Sequence, residues 1–129
     1  MDAKGEGGGA AQARDSFCPH YQKAIELVGK RWSGTILRAL LEGSLRFSQI
    51  SGRIPQISDR SLSLRLKELE TEGVLARRVN ATRPPVSVSY ELTEKGRDLE
   101  AVISAMERWA HDWVASDAET SDEVAARTA

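Results

Sequence analysis

The sequence predicts a mainly α-helical domain with one small β-hairpin. Three observations carry this. Apolar residues recur at helical spacing from Pro19 to about Glu72. The period then shortens to two, with Val86, Val88, Tyr90 and Leu92 alternating with Ser87, Ser89 and Glu91. Helical spacing returns after Thr93 and runs to Trp113.

The elements follow in order. Residues 1–16 hold Gly5, Gly7, Gly8 and Gly9 and little to bury, so a disordered arm is expected. Pro19 suits the first position of a helix capped by Cys18. That helix reaches about Val28, with Tyr21, Ala24, Ile25 and Val28 on one face, and Gly29 ends it. A second helix spans about Trp32 to Leu41, stopped by Gly43. Leu45 and Phe47 suit a very short strand. A third helix runs from Phe47 to about Ile54, closed by Pro55.

The fourth helix is the best marked. Ser58 is a good N-cap, Leu62, Leu66 and Leu69 make its inner face, and Gly73 suits its stop. Its outward side is expected to carry Arg60, Ser61, Leu64, Arg65, Lys67 and Glu68. A strand then runs from Val74 to Val79. Pro84 and Pro85 cannot sit in a paired central strand, so Asn80 to Pro85 forms a protruding loop. Thr93 caps one last helix, whose stripe is Leu99, Val102, Ile103, Met106, Trp109, Ala110 and Trp113.

The 129 residues allow one compact domain, placed at 17–115, with an acidic, disordered tail at 116–129. No run approaches the roughly 18 apolar residues of a membrane span. The first residues lack the apolar core of a secretion signal, so a cytoplasmic protein is expected. Cys18 is the only cysteine. With His20 and His111 it does not make a usual zinc set. No phosphate-binding glycine loop and no nucleophile–base pair is present. Neither an enzyme nor a cofactor is expected.

The net charge of -1 hides an asymmetry. Lys30 to Arg78 holds ten basic residues against five acidic ones, whereas the tail is acidic. Helices three and four, separated by Pro55-Gln56-Ile57, fit a helix-turn-helix, and the hairpin after them makes it a winged one. In such a unit the N-terminus of the second helix enters a major groove. Ser58, Arg60 and Ser61 are then candidate readers, since Arg pairs bidentately with guanine and Ser donates or accepts. Arg65 and Lys67 are candidate phosphate contacts. Arg83, at the wing tip, is a candidate for the minor groove or the phosphates.

The motifs resemble a known family. They are Cys18-Pro19, Gly29-Lys30-Arg31-Trp32, Arg46-Phe47-Ser48-Gln49-Ile50, Ser58-x-Arg60-x-Leu62-x3-Leu66-x2-Leu69-x3-Gly73-Val74-Leu75-x-Arg77, and Pro85-x3-Ser89-Tyr90-Glu91-Leu92-Thr93-x2-Gly96. In this order and spacing, over Cys18 to Trp113, they are similar to the HxlR branch of the MarR-like transcription regulators. The resemblance implies a dimeric, bacterial, winged-helix DNA binder that often acts on neighbouring genes. Some members respond to oxidants, aldehydes or quinones through a cysteine before the first helix, a position held here by Cys18.

Residue chemistry adds three expectations. The helix dipole at Cys18 favours the reactive thiolate, with His20 and Lys23 nearby, so oxidation or electrophile sensing is a candidate role. The terminal helices, through Tyr21, Ile25, Val102, Met106, Trp109 and Trp113, are candidates for a homodimer interface. A two-fold dimer would read an inverted-repeat operator in double-stranded DNA, its half-sites about one turn apart. A small-molecule effector at the dimer interface, walled by Trp32, and a winged helix used only for protein contact are the alternatives.

Overall fold

The computed structural model describes residues 17–82 and 84–117. Helix α1 (Pro19–Gly29) and α2 (Ser33–Leu40) lead to a two-residue strand β1 (Leu45–Arg46). Helices α3 (Phe47–Arg53) and α4 (Asp59–Thr71) precede the wing, β2 (Leu75–Asn80) and β3 (Ser87–Leu92). Then come α5 (Glu94–Arg97), α6 (Glu100–Trp109) and a π-helical turn, Ala110–Val114. Helical geometry continues to residue 117, two residues into the expected tail.

The core explains the elements. Ile36, Leu37 and Leu40 from α2, Ile50 from α3, Leu62, Leu66 and Leu69 from α4 and Leu75 from β2 are almost fully buried. They recur at i, i+3, i+4 or i+7 along each helix, so each apolar stripe faces one shared interior. Burying a leucine or isoleucine side chain contributes about 1.5–3 kcal/mol, so this cluster is the main cohesive element.

The wing is a three-stranded antiparallel sheet in the order β1-β3-β2, not the two-stranded hairpin of the sequence reading. Leu45 pairs with Tyr90 and Arg46 with Ser89, while β2 and β3 run from Leu75↔Leu92 to Asn80↔Ser87. A two-residue strand has no alternation of its own. The short strand expected at Leu45 is present, and its pairing with β3 is what the spacing left open.

The end of α4 and the base of the wing are locked together. Gly73 takes φ +81°, a left-handed stop open to glycine without a Cβ penalty. The Gly73 N–H reaches the Glu70 carbonyl at 3.0 Å and the Val74 N–H the Leu69 carbonyl at 3.1 Å, a Schellman motif. The Thr93 hydroxyl donates to the Gly73 carbonyl at 2.6 Å and accepts from the Gly96 N–H at 3.2 Å. Lys95 Nζ donates to the Glu72 carbonyl at 2.7 Å.

Two further boundaries depart from expectation. The single last helix is divided between α5 and α6, and at the junction the Leu99 N–H bonds the Gly96 carbonyl, a tighter i−3 turn. Gly96 is the anchor there, pressed so close to the residue before β2 that a Cβ would meet the Val74 carbonyl oxygen at 2.0 Å. Trp32 is the N-cap of α2 at φ +75°, a left-handed conformation uncommon for a bulky residue. Its ring packs against the core and carries the Arg31 guanidinium 4.9 Å from the centroid.

Ion pairs join α6 to the helix-turn-helix. Arg38 on α2 contacts Glu107 at 3.1 Å and Glu42 at 3.1 Å, and Glu42 takes Arg53 of α3 at 3.1 Å. These pairs are exposed, so each contributes little alone.

Candidate nucleic-acid interface

Helix α4 is rotationally fixed by Leu62, Leu66 and Leu69, each at most 2% exposed. Its first turn is capped by Ser58, whose hydroxyl accepts from the Ser61 N–H at 3.1 Å. Asp59 accepts from the Ser51 hydroxyl at 3.5 Å, joining α3 to the start of α4. Opposite the buried stripe, Arg60, Leu64, Lys67 and Thr71 are exposed at helical spacing. Arg60 and Lys67 therefore stand on one outer face, two turns apart.

The flank toward α1 is different. Ser61, Arg65 and Glu68 were expected outward, yet all three are half-buried. The Arg65 guanidinium donates to the Arg31 carbonyl at 3.0 Å and to the Glu68 carboxylate. Lys30 Nζ also donates to Glu68 at 3.1 Å. Lys30, and then Arg65, hold the Glu68 carboxyl below the usual carboxylate range. Arg65 and Glu68 thus fasten α4 to the α1–α2 turn, a tertiary pairing 34 residues apart in the chain.

The flank toward the wing carries what the sequence reading omitted. Ser63 is exposed and shares a cleft with Lys67, Glu70, Arg77 and Tyr90, between α4 and the sheet. Arg77 is exposed on β2, opposite Tyr90 in register. Placing 63, 67 and 70 one step beyond 62, 66 and 69 on the helical wheel would have found this row. Arg78, by contrast, is paired with Glu91 at 3.2 Å. Arg83 lies outside the described residues. Beside it, the Asn80 side-chain oxygen accepts from the Thr82 N–H at 3.2 Å and hydroxyl at 2.7 Å, shaping the loop's start.

Cys18 is exposed and caps α1, its Sγ accepting from the Tyr21 N–H at 3.5 Å. Tyr21, Ile25, Val102, Met106, Trp109 and Trp113 all leave roughly half or more of their surface open, with Trp109 at 60% and Trp113 at 61%. Of α6, Ile103 alone is buried. Trp32, packed on the core, is not among the residues lining the groove between α1 and α4.

Comparison with known proteins places this geometry. A profile of the HxlR-like helix-turn-helix family matches residues 27–118. The chain is 43% identical over 101 residues to YvaP of Bacillus subtilis, an HTH-type transcriptional regulator, covering 78% of this chain and 93% of that one. It is 45% identical over 96 residues to the transcriptional regulator YodB of Bacillus subtilis, covering 74% and 85%. The reduced form of YodB superimposes with a TM-score of 0.69 at 44% identity, over 75% of this chain and 94% of that one. In this chain the fold is a core-locked, capped helix with a basic outer face, followed by a wing. The chain belongs to the HxlR-like helix-turn-helix family and is a DNA-binding transcriptional regulator rather than an enzyme.

Proposed function

We propose that the chain acts as a homodimer on an inverted-repeat operator, reading each half-site with the N-terminal half of α4. The carrying observation is the exposed stripe of Arg60 and Lys67 on a helix whose rotation the core fixes. Arg60, with Ser58 and Ser61 beside it, is assigned to base edges. Lys67 is assigned to phosphate, along with Arg83 at the wing. Arg65 takes a positioning role, since Arg31 and Glu68 already occupy its guanidinium.

The test begins with sequences selected from random DNA. Arg60→Ala should relax preference at one position of each half-site by about 1–3 kcal/mol, whereas Lys67→Ala should weaken all sequences alike and lower the salt slope by about one. Uniform loss from both would remove Arg60 from the reading role.

Support for the homodimer is the uncovered apolar face on α1, α6 and the π-helical turn after it, through Tyr21, Ile25, Val102, Met106, Trp109 and Trp113. Apolar surface of this kind marks an interaction site. Support for a thiol switch is the exposed, N-capping Cys18, together with the likeness to YodB, which has also been solved in a quinone-bound form. Cys18→Ser should retain DNA binding and lose any response to peroxide or quinone. A response that survives Cys18→Ser overturns the switch.

A further inference from the structure

The outer face of α4 carries one apolar residue among its cations. The helix holds four leucines. Leu62, Leu66 and Leu69 are at most 2% exposed, whereas Leu64 is 51% exposed. A single exposed leucine is ordinary on a protein surface. Its place is what matters here. Leu64 lies one turn after Arg60 and three residues before Lys67, and both cations are exposed on the same face. The buried stripe fixes the rotation of α4, so any surface that receives Arg60 and Lys67 also receives Leu64.

We propose that Leu64 is a specificity-determining residue, which selects a thymine in each half-site by packing on its C5 methyl group. A leucine side chain has neither donor nor acceptor. In the major groove thymine alone presents a methyl group, whereas the other bases present donors and acceptors. Against thymine, Leu64 buries one apolar group on another. Against any other base it strips water from polar atoms and returns no hydrogen bond. Both effects favour thymine. Four residues advance α4 by about 6 Å along its axis, and base pairs follow about every 3.4 Å. The selected thymine therefore lies within about two base pairs of the base assigned to Arg60. The assignment rests on the reading of α4 given above and adds a second base to it.

Uracil is thymine without the C5 methyl, so it isolates this contact. The full chain is titrated with duplexes selected from random DNA, in which single thymines of one half-site are replaced by uracil. At one thymine the wild type should lose about fourfold in affinity, the size expected for burying one methyl group. Leu64→Ala should be indifferent to that same replacement, with circular dichroism verifying its fold. Leu64→Gln, selected afresh from random DNA, should exchange that thymine for adenine, which glutamine pairs bidentately. The assignment is overturned by a wild type indifferent to uracil at every thymine, by a fourfold loss that persists in Leu64→Ala, or by thymine retained in the Leu64→Gln selection. A purely structural Leu64, covering the edge of the groove toward α1, would lower the urea stability of Leu64→Ala and leave its uracil sensitivity intact. The Arg60→Ala selection separates this assignment from the reading of α4. Relaxed preference in Arg60→Ala without any uracil effect overturns Leu64 alone. Unaltered preference without any uracil effect overturns the reading of α4 as well. A uracil effect that Leu64→Ala abolishes, beside unaltered preference in Arg60→Ala, upholds Leu64 and removes Arg60.

Discussion

Replacing Gly96 by alanine tests the lock between α4, the wing and the last helices. The added methyl would stand 2.0 Å from the Val74 carbonyl oxygen, 3.0 Å from its carbon and 3.2 Å from Leu92 Cδ2. The nearest obstacles are backbone, so no side-chain rotation relieves them. Ordinary contact starts at about 3.4 Å, so α5 must retreat by about 1.4 Å. That movement strains the Thr93 N–H to Val74 carbonyl bond, 3.1 Å, and the Thr93 hydroxyl to Gly73 carbonyl bond, 2.6 Å. Two such bonds are worth about 1 kcal/mol each. Overpacking adds about 1–3 kcal/mol. Leaving glycine in a helix returns about 1 kcal/mol. The expected net loss is about 2–4 kcal/mol, a large part of the roughly 5–15 kcal/mol that holds a domain folded. Urea unfolding at one fixed protein concentration measures it, and fixed concentration matters for an associating chain. A loss below about 0.5 kcal/mol, the scale of an ordinary surface substitution, would refute the close approach.

Other outcomes are expected. Gly73→Ala should cost about 1–2 kcal/mol because an L-residue is strained at this left-handed stop, with Gly73→Asn milder; equal stability in both would deny the strain. Trp109→Glu should weaken self-association by about 2 kcal/mol or more, read by sedimentation against the 14.2 kDa chain mass, and a monomeric wild type would contradict the interface. Glu68→Gln concerns pH. Lys30 chiefly, then Arg65, hold the Glu68 carboxyl below its usual 4.5, so its contribution is present above about that pH and fades as pH falls through the folded value. The stability gap between wild type and Glu68→Gln should therefore shrink in acid, and a gap constant from neutral pH to pH 3 would exclude this pairing.

Much of the fold was legible because local chemistry and tertiary demand agree. Ser58 and Gly73 bound α4 both in the pattern and in the structure, because a hydroxyl cap and a left-handed stop are local requirements. Leu62, Leu66 and Leu69 fixed which side of α4 faces inward, so Arg60 and Lys67 were placed outward correctly from spacing alone. The change of period found the wing.

The remainder depended on contacts distant in sequence. Arg65 is basic and lies on a helix flank, so nothing local distinguishes it from Lys67. The Arg31 carbonyl, brought beside it by the turn into α2, turns it inward together with Glu68. The short strand at Leu45 was expected, but its partner, the edge of β3, was not legible locally. The helix break before Glu100 follows from the contact of Gly96 with Val74, two residues whose closeness no periodicity encodes. The sequence by itself determined the winged helix-turn-helix and its outward basic face, because helix periodicity and capping are short-range physics. The tertiary structure decided which cations remain available for DNA, because hydrogen-bond satisfaction is settled by what the folded chain brings near.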